Sequence, residues 1–266
     1  MTTVLKCGGE LLEQPQQLAA LARAIVAHGS ARPTVVVHGG GREIDVELER
    51  RGVAKRAVDG LRITDAETLD AVIAVLGGTI NSRFVAAIHA AGGRAVGLTG
   101  ADDGLVLCDP APPYCTRDGR SVDLGLVGQP TGGRADALSA LLAAGCIPVV
   151  ACLGVTVEGA LLNVNADTFA AHVAAIVGAS RLVIAGATAG VLDAAGEVIP
   201  SLDAPAIEAL VADGTASAGM VAKLTACRHA LARGVSEVVI VDGRTPESLE
   251  GLRGTRIVLE GCGASL

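Results

Sequence analysis

Short runs of β-branched and apolar residues alternate along this chain with Ala- and Leu-rich stretches of helical period. That alternation restricts the fold more than any other feature. TVLKC, TVVVH, RAVGL, CIPVVAC, RLVIAG and EVVIVD read as strands. Each is apolar nearly throughout rather than at every second residue, so both of its faces need cover. Between them, Pro15 to His28, Glu43 to Arg51, Asp65 to Ala91, Ala135 to Ala144, Ala166 to Val177 and Met220 to Arg233 read as helices. In the first of these, Leu18, Leu21, Ala22 and Ile25 fall on one face. The expected fold is α/β: a three-layer α/β/α sandwich around a mainly parallel sheet.

One segment breaks the pattern. Leu105 to Arg134 contains Pro110, Pro112, Pro113, Gly132-Gly133 and the hairpin-turn pair Asp118-Gly119. It predicts an antiparallel hairpin excursion near 105–134. Gly77-Gly78 weakens the long helical stretch that contains it. The best boundary lies near Gly178–Ser180, which gives units 1–178 and 179–266.

The core has to be Val, Leu, Ile and Ala, because the 266 residues include no Trp, one Tyr and two Phe. A formal charge of −7 argues against a nucleic-acid partner, which needs a basic footprint, and the few aromatics argue against base stacking. MTTVLKCGGE does not read as a signal peptide, and no apolar run reads as a membrane span, so no membrane is expected and a cytoplasmic protein is. The seven cysteines, Cys7, Cys108, Cys115, Cys146, Cys152, Cys227 and Cys262, form no C-x-x-C pair. They read as reduced, mostly buried small hydrophobes.

In parallel sheets, ligands bind beyond the carboxyl ends of strands. Gly8-Gly9 and Gly39-Gly40-Gly41 fall there, and a helical segment follows each. Such loops can bring backbone N–H groups to a phosphate or carboxylate, with Lys6 at the end of the first strand adding charge. The other reading is two tight turns without a ligand. Neither loop is G-x-x-x-x-G-K-[ST] or G-x-G-x-x-G, so neither common nucleotide fingerprint is present. Taken singly, other residues have ordinary explanations. Asn165 or Asp167 can cap a helix, Lys223 can be a solvated helix lysine, and Arg62 a surface charge beside a capping Thr64. His38 can be a buried hydrogen-bonding spacer or a contact on the phosphate side.

Taken in order, LKCGGE, VVVHGGGREID, DGLRITDAET, GRAVGLTGADDG, LNVNAD, GVLDAAGEVI and AGMVAKL resemble the amino acid kinase family. Within it they are most similar to the members that phosphorylate N-acetyl-L-glutamate. The resemblance spans nearly the whole chain. It implies an N-terminal lobe, 1–178, for acetylglutamate binding and dimerisation, and a C-terminal lobe, 179–266, for ATP. It implies a reaction in which ATP phosphorylates a side-chain carboxylate, the second step of arginine biosynthesis, with Mg²⁺ held mainly by the nucleotide phosphates and no protein metal site. By motif, Lys6 and Lys223 flank the transferring phosphoryl group, and Asp167 holds both ammonium groups. Gly40, Gly41, Arg62 and Asn163 hold the acetylglutamate. Gly8, Gly9, Ala187, Thr188, Ala189, Gly190, Val191, Leu192, Thr215, Ala216 and Ser217 hold the nucleotide. A homodimer is expected, with its interface helix within Asp65 to Ala91. Arginine-inhibited members carry an extra N-terminal helix; the chain begins its first strand almost at once, so arginine insensitivity is expected.

The chain departs from the family at one place. Where L-[ST]-D-x-x-G is usual, it reads Ala185, Gly186, Ala187, Thr188, Ala189, Gly190, and the carboxylate expected at 187 is missing. Two other functions follow from the same residues. One is a kinase for a related acceptor, such as an N-succinyl or carrier-linked amino acid. The other is a non-catalytic ligand-binding homologue, favoured only by the missing carboxylate. Retention of Lys6, Asp167 and Lys223 favours catalysis.

Overall fold

A computed structural model describes residues 1–116, 118–212, 214, 218–244, 249 and 253–259. Among them, one eight-stranded sheet organises the chain. Its strands are β1 (Thr3–Cys7), β2 (Thr34–His38), β3 (Ala95–Thr99), β4 (Ile147–Ala151), β5 (Arg181–Gly186), β6 (Ser201–Leu202), β7 (Glu237–Asp242) and β8 (Thr255–Ile257). The order across the sheet is β6-β8-β7-β5-β1-β2-β4-β3. All neighbours are parallel except β7 and β8. β1, β2 and β4 are buried at every residue, which is why their sequences do not alternate.

The helices are α1 (Pro15–Ala31), α2 (Gly41–Arg51), α3 (Ala66–Ile73), α4 (Asn81–Ala90), α5 (Asp136–Ala143), α6 (Ala166–Ile176), α7 (Ala204–Ala212) and α8 (Ala218–Ala232). α1 and α4 pack together, α6 lies against β1 and β5, and α8 lies on β7. The six long strands and seven of these helices match the sequence reading, α3 and α4 both falling within the stretch Asp65 to Ala91. α7, β6 and β8 escape it: two of them are only two or three residues long, and α7 is passed over although Asp203 and Pro205 mark its start, the Asp203 carboxylate accepting from Ala206 N–H at 2.9 Å.

The 105–134 excursion forms, and it is larger than expected. Leu107–Pro110 pairs antiparallel with Gly128–Gly132, and Tyr114–Cys115 with Ser121–Val122. A second sheet then recruits Leu153–Val155 and Leu161–Asn163, in the order Leu161–Asn163, Leu153–Val155, Leu107–Pro110, Gly128–Gly132. The last two segments lie beyond the predicted excursion.

Between α3 and α4 the chain winds as a π-helix over Ala74–Ile80, at the Gly77-Gly78 weak point. The continuous helix Ala66–Ala90, whose most apolar 18-residue window has a mean hydropathy of 1.6, is long and apolar enough to cross a membrane by length and composition. The sequence reading credited no run with that length, because polar residues interrupt this one. Val72, Leu76, Ile80, Phe84 and Ile88 are buried in the core, so one face of it is a core helix. Both phenylalanines, Phe84 and Phe169, are fully buried. Cys7, Cys108, Cys152 and Cys227 are buried, in accord with a mostly buried set; Cys115 is exposed and Cys146 half-buried. Cys262 lies outside the described residues.

Candidate active site

β1 is the strand where the sheet order reverses. Its chain successor β2 lies on one side and β5, from far along the sequence, on the other. Ligands bind at such switch points, outside the carboxyl ends of the strands. Cys7 pairs with both His38 and Ala185, so the loops after β1, β2 and β5 emerge side by side. A cleft of about 270 Å³ opens there.

The two glycine loops touch. A Cβ on Gly9 would lie 2.9 Å from Gly40 Cα. A Cβ on Gly40 would collide with Ile80 and meet Leu76 Cδ2 at 3.0 Å. Close packing therefore accounts for two of the glycines before any ligand is considered. The π-helical turn presses Leu76 and Ile80 onto Gly40, and α2 starts at Gly41 with its first-turn N–H groups at the cleft. We expect Gly9→Ala and Gly40→Ala each to lower the unfolding free energy by about 1–3 kcal/mol. Trimming Ile80 to Ala restores part of the loss in Gly40→Ala. No side-chain trimming restores Gly9→Ala, whose obstacle is backbone. Denaturant titration of the three variants and the double variant reads this out.

His38 is the buried spacer. It is fully buried, with Nδ1 3.2 Å from Gly39 O and Nε2 3.2 Å from Asn81 Nδ2. Asn81 also donates to Val149 O at 2.9 Å. This pattern puts the hydrogen on Nδ1 and leaves Nε2 as acceptor. Burial pushes the imidazole pKa down to about 4, so it is neutral at ordinary pH. His38 ties the second glycine loop to α4 and β4 and is not among the residues that line the cleft.

The charged centre is built from three elements. Lys6 comes from β1, Asp167 from the first turn of α6 and Lys223 from α8. Lys6 Nζ lies 2.9 Å from Asp167 Oδ1, and Lys223 Nζ lies 3.2 Å from Asp167 Oδ2. Their side chains are 9%, 16% and 10% exposed for Lys6, Lys223 and Asp167. Asn165 is the cap of α6: its Oδ1 accepts from the N–H groups of Asp167 and Thr168, at 3.0 and 3.1 Å. That frees the Asp167 carboxylate for the lysines and resolves which of the two residues caps. Burial pushes the Asp167 pKa up, but the two ammonium groups outweigh it and hold the carboxyl below its usual range. For Lys6, burial is outweighed by Asp167, and the pKa rises. For Lys223, burial and the like charge of Lys6 prevail, and the pKa falls.

Arg62 closes the opposite wall. It ends the hairpin Ala57–Val58/Leu61–Arg62, whose Asp59-Gly60 turn has positive φ at both residues. Its Nη2 donates to Gly41 O at 3.0 Å and to Asp45 Oδ1. Gly41 and Asp45 stand one turn apart on α2, so one guanidinium nitrogen reads that turn. Nη1 is buried and has no hydrogen-bond partner among the described residues. A buried guanidinium nitrogen without a partner, in a cleft, fits an anionic ligand. Asn163 lines the same cleft and donates to Thr64 Oγ1 at 3.0 Å.

Thus Lys6, Gly9, Gly40, Gly41, Arg62, Asn163 and Asp167 line one cleft, and Lys223 joins it through Asp167. Gly8 is buried behind Gly9, its N–H bonded to Ala185 O at 2.9 Å. Ala187, Thr188 and Ala189 are exposed on the loop after β5, Leu192 is partly exposed, and Gly190 is buried. The Val191 N–H is already taken by Thr255 Oγ1, at 2.8 Å. Thr215, Ala216 and Ser217 lie outside the described residues. Sequence reasoning misses Asp45, which orients Arg62, and Glu10, whose carboxylate accepts from Ala187 N–H; it reads Thr64 as a helix cap, but Asp65 caps α3 and Thr64 Oγ1 accepts from Asn163. Asp45 was detectable as the residue one turn beyond Gly41 on the α2 face.

The model of the amino acid kinase family matches residues 1–242. The chain is 42% identical over 253 residues to the acetylglutamate kinase of Rhodopseudomonas palustris (strain BisA53), covering 93% of this chain and 85% of that one. Among solved structures, smu.665 from Streptococcus mutans UA159 superposes with a TM-score of 0.82 at 26% identity, covering 97% of this chain and 99% of that one. N-acetylglutamate synthase from Neisseria gonorrhoeae, solved with coenzyme A and N-acetyl-glutamate, also gives 0.82 at 26%, covering 98% of this chain and 60% of its own.

Proposed function

The chain belongs to the amino acid kinase family, and from that premise we propose that it transfers the γ-phosphoryl group of ATP to the side-chain carboxylate of N-acetyl-L-glutamate. The products are N-acetyl-L-glutamyl 5-phosphate and ADP, the second step of arginine biosynthesis. The observation that carries this reading is the buried Lys6–Asp167–Lys223 array at the meeting point of three strand-end loops.

The chemistry asks for what this array offers. A carboxylate oxygen attacks the γ-phosphorus, and the bond from that phosphorus to the β–γ bridging oxygen breaks. The nucleophile is already ionised, so no general base is needed. The obstacle is repulsion between two anions, and it is met by positioning and positive charge. Lys6 and Lys223 neutralise the transferring group from its two sides, and Asp167 fixes where their ammonium groups stand. The Gly9 N–H and the exposed backbone at Thr188 and Ala189 cradle nucleotide phosphates, with Gly8, whose own N–H is bonded to Ala185 O, shaping the turn. Mg²⁺, when bound with the nucleotide, supplies further charge neutralisation. It is held mainly by the phosphates, because Asp167 is engaged by two lysines.

Arg62 and Asn163 hold the acid substrate at the far wall, with Gly40 and Gly41 beneath it. Residues 1–178 then serve the acid and residues 179–266 the nucleotide. The helix Ala66–Ala90, apolar but only 44% buried in its most apolar window, serves as the contact of a homodimer. A cytoplasmic location accords with the need for ATP.

For Arg62→Ala we expect the KM for N-acetyl-L-glutamate to rise by about tenfold to a hundredfold, with the ATP KM within about twofold, because a charge-assisted hydrogen bond contributes about 1.5–3 kcal/mol. A matching rise in both constants overturns the assignment. The reaction itself is tested by ADP release with MgATP and N-acetyl-L-glutamate, N-succinyl-L-glutamate or free glutamate, with hydroxylamine to trap acyl phosphate. Turnover and hydroxamate with acetylglutamate alone are expected. Turnover only with another acceptor reassigns the substrate, and no turnover from folded protein overturns the kinase reading.

A further inference from the structure

Glu10 is the one acidic side chain in the first glycine loop, and nothing in the reaction above uses it. It sits in the Gly9–Leu11 turn directly after the loop. Its carboxylate folds back over Gly8, filling the space a Cβ there would need. Its Oε1 accepts from Ala187 N–H at 3.2 Å and lies 3.2 Å from where a Cβ on Gly186 would stand. The carboxylate therefore spans the loops after β1 and β5. Position 187 is the place where the family pattern has a carboxylate and this chain has alanine. The negative charge reaches this spot from the other loop.

We propose that Glu10 is a specificity-determining residue that makes the nucleotide site select metal-complexed over free nucleotide. This rests on assigning the loops at Gly8-Gly9 and Ala187 to nucleotide phosphates. A carboxylate lying among phosphate-binding N–H groups competes for those donors and repels incoming phosphate oxygens. Free nucleotide meets that repulsion in full. In the magnesium complex a divalent cation cancels two of the nucleotide's charges, and a hard carboxylate oxygen beside it is a favourable neighbour. Lys6 is paired with Asp167 at 2.9 Å and interacts with Glu10 only as a through-space charge that helps to raise the Lys6 pKa.

The test is binding rather than turnover. The chain has no tryptophan, so isothermal titration calorimetry suits it. The Kd of ADP is measured with excess Mg²⁺ and with EDTA, for the wild type and for Glu10→Gln. Glutamine keeps the shape and the acceptor for Ala187 N–H and removes the charge. The expected result is that the ratio of free-ADP to Mg-ADP Kd falls by about tenfold in Glu10→Gln, the size of one nearby charge in a partly screened site. Glu10→Ala, which also removes the acceptor, lowers the ratio at least as far. A ratio within about twofold of wild type in both variants, or a ratio that rises, overturns the proposal while leaving the kinase reading intact. Failure of wild-type protein to bind ADP in either form overturns the nucleotide assignment and this proposal with it.

Discussion

Asp167→Asn lowers stability by about 3–5 kcal/mol at neutral pH and reduces kcat by at least about a hundredfold. Among the described residues the carboxylate is the one ion-pair partner that Lys6 and Lys223 share, and all three side chains are nearly buried. Removing it leaves two ammonium groups facing each other with little water to screen them. The pH dependence carries the sign. In the wild type, the depressed pKa of Asp167 contributes stability that is fully present above the unfolded carboxyl value of about 3.9 and is lost as pH falls through the lower folded value. In the variant, the buried lysines relieve their penalty by shedding protons. The stability gap between the two proteins therefore narrows as pH rises from 7 to 10. Urea titrations at fixed pH values measure it; a gap that is constant or widens sinks the shared counter-charge.

Lys223→Ala reduces kcat by about a hundredfold to a thousandfold and leaves the acetylglutamate KM nearly unchanged, the scale of losing one preorganised charge in a dry site. On the proposed reading the acid is held by Arg62, Asn163 and the α2 terminus, whereas Lys223 donates to Asp167. Burial and the like charge of Lys6 lower the Lys223 pKa, whereas Asp167 raises that of Lys6. Rising pH thus removes the Lys223 proton first, and the alkaline fall in kcat sets in below the usual lysine range. Lys223→Arg abolishes that limb in whatever rate remains, since guanidinium keeps its proton. Single-turnover rates across pH 7 to 10.5 check both statements. An equal loss in KM and kcat for the alanine variant would show Lys223 to be structural.

Much of this molecule was legible in its residues. Fully apolar strands alternating with helical periods gave the parallel sheet, because burial on both faces leaves no other pattern. The residues of the cleft were legible as an ordered set of short motifs, each ambiguous alone. Lys223 and Arg62 read equally well as surface charges, since sequence carries no distance between a helix at 218–232 and a strand at 3–7. The small strands at 153–155 and 161–163 were not legible. Three residues give no period, and the pairing of Leu153–Val155 with Leu107–Pro110, which brings Leu161–Asn163 in beside it, is a long-range decision.

What the sequence determined by itself is local: which segments extend, which coil, and which turns demand glycine. What tertiary structure decided is every role that depends on a partner distant in the chain. Glycine at 9 and 40 suited a ligand loop, yet the fold shows each also needed where two backbones and a π-helical turn meet. His38 became a neutral spacer once Asn81 reached it from 43 residues away. Asp167 passed its capping duty to Asn165 and took two lysines instead. Glu10, unremarked in the sequence, gained meaning only when the loop after β5 brought Ala187 to it across 177 residues. The physical reason is common to all four. Charge and hydrogen-bond energies fall off within a few ångströms, and only the folded sheet fixes which groups stand within that distance.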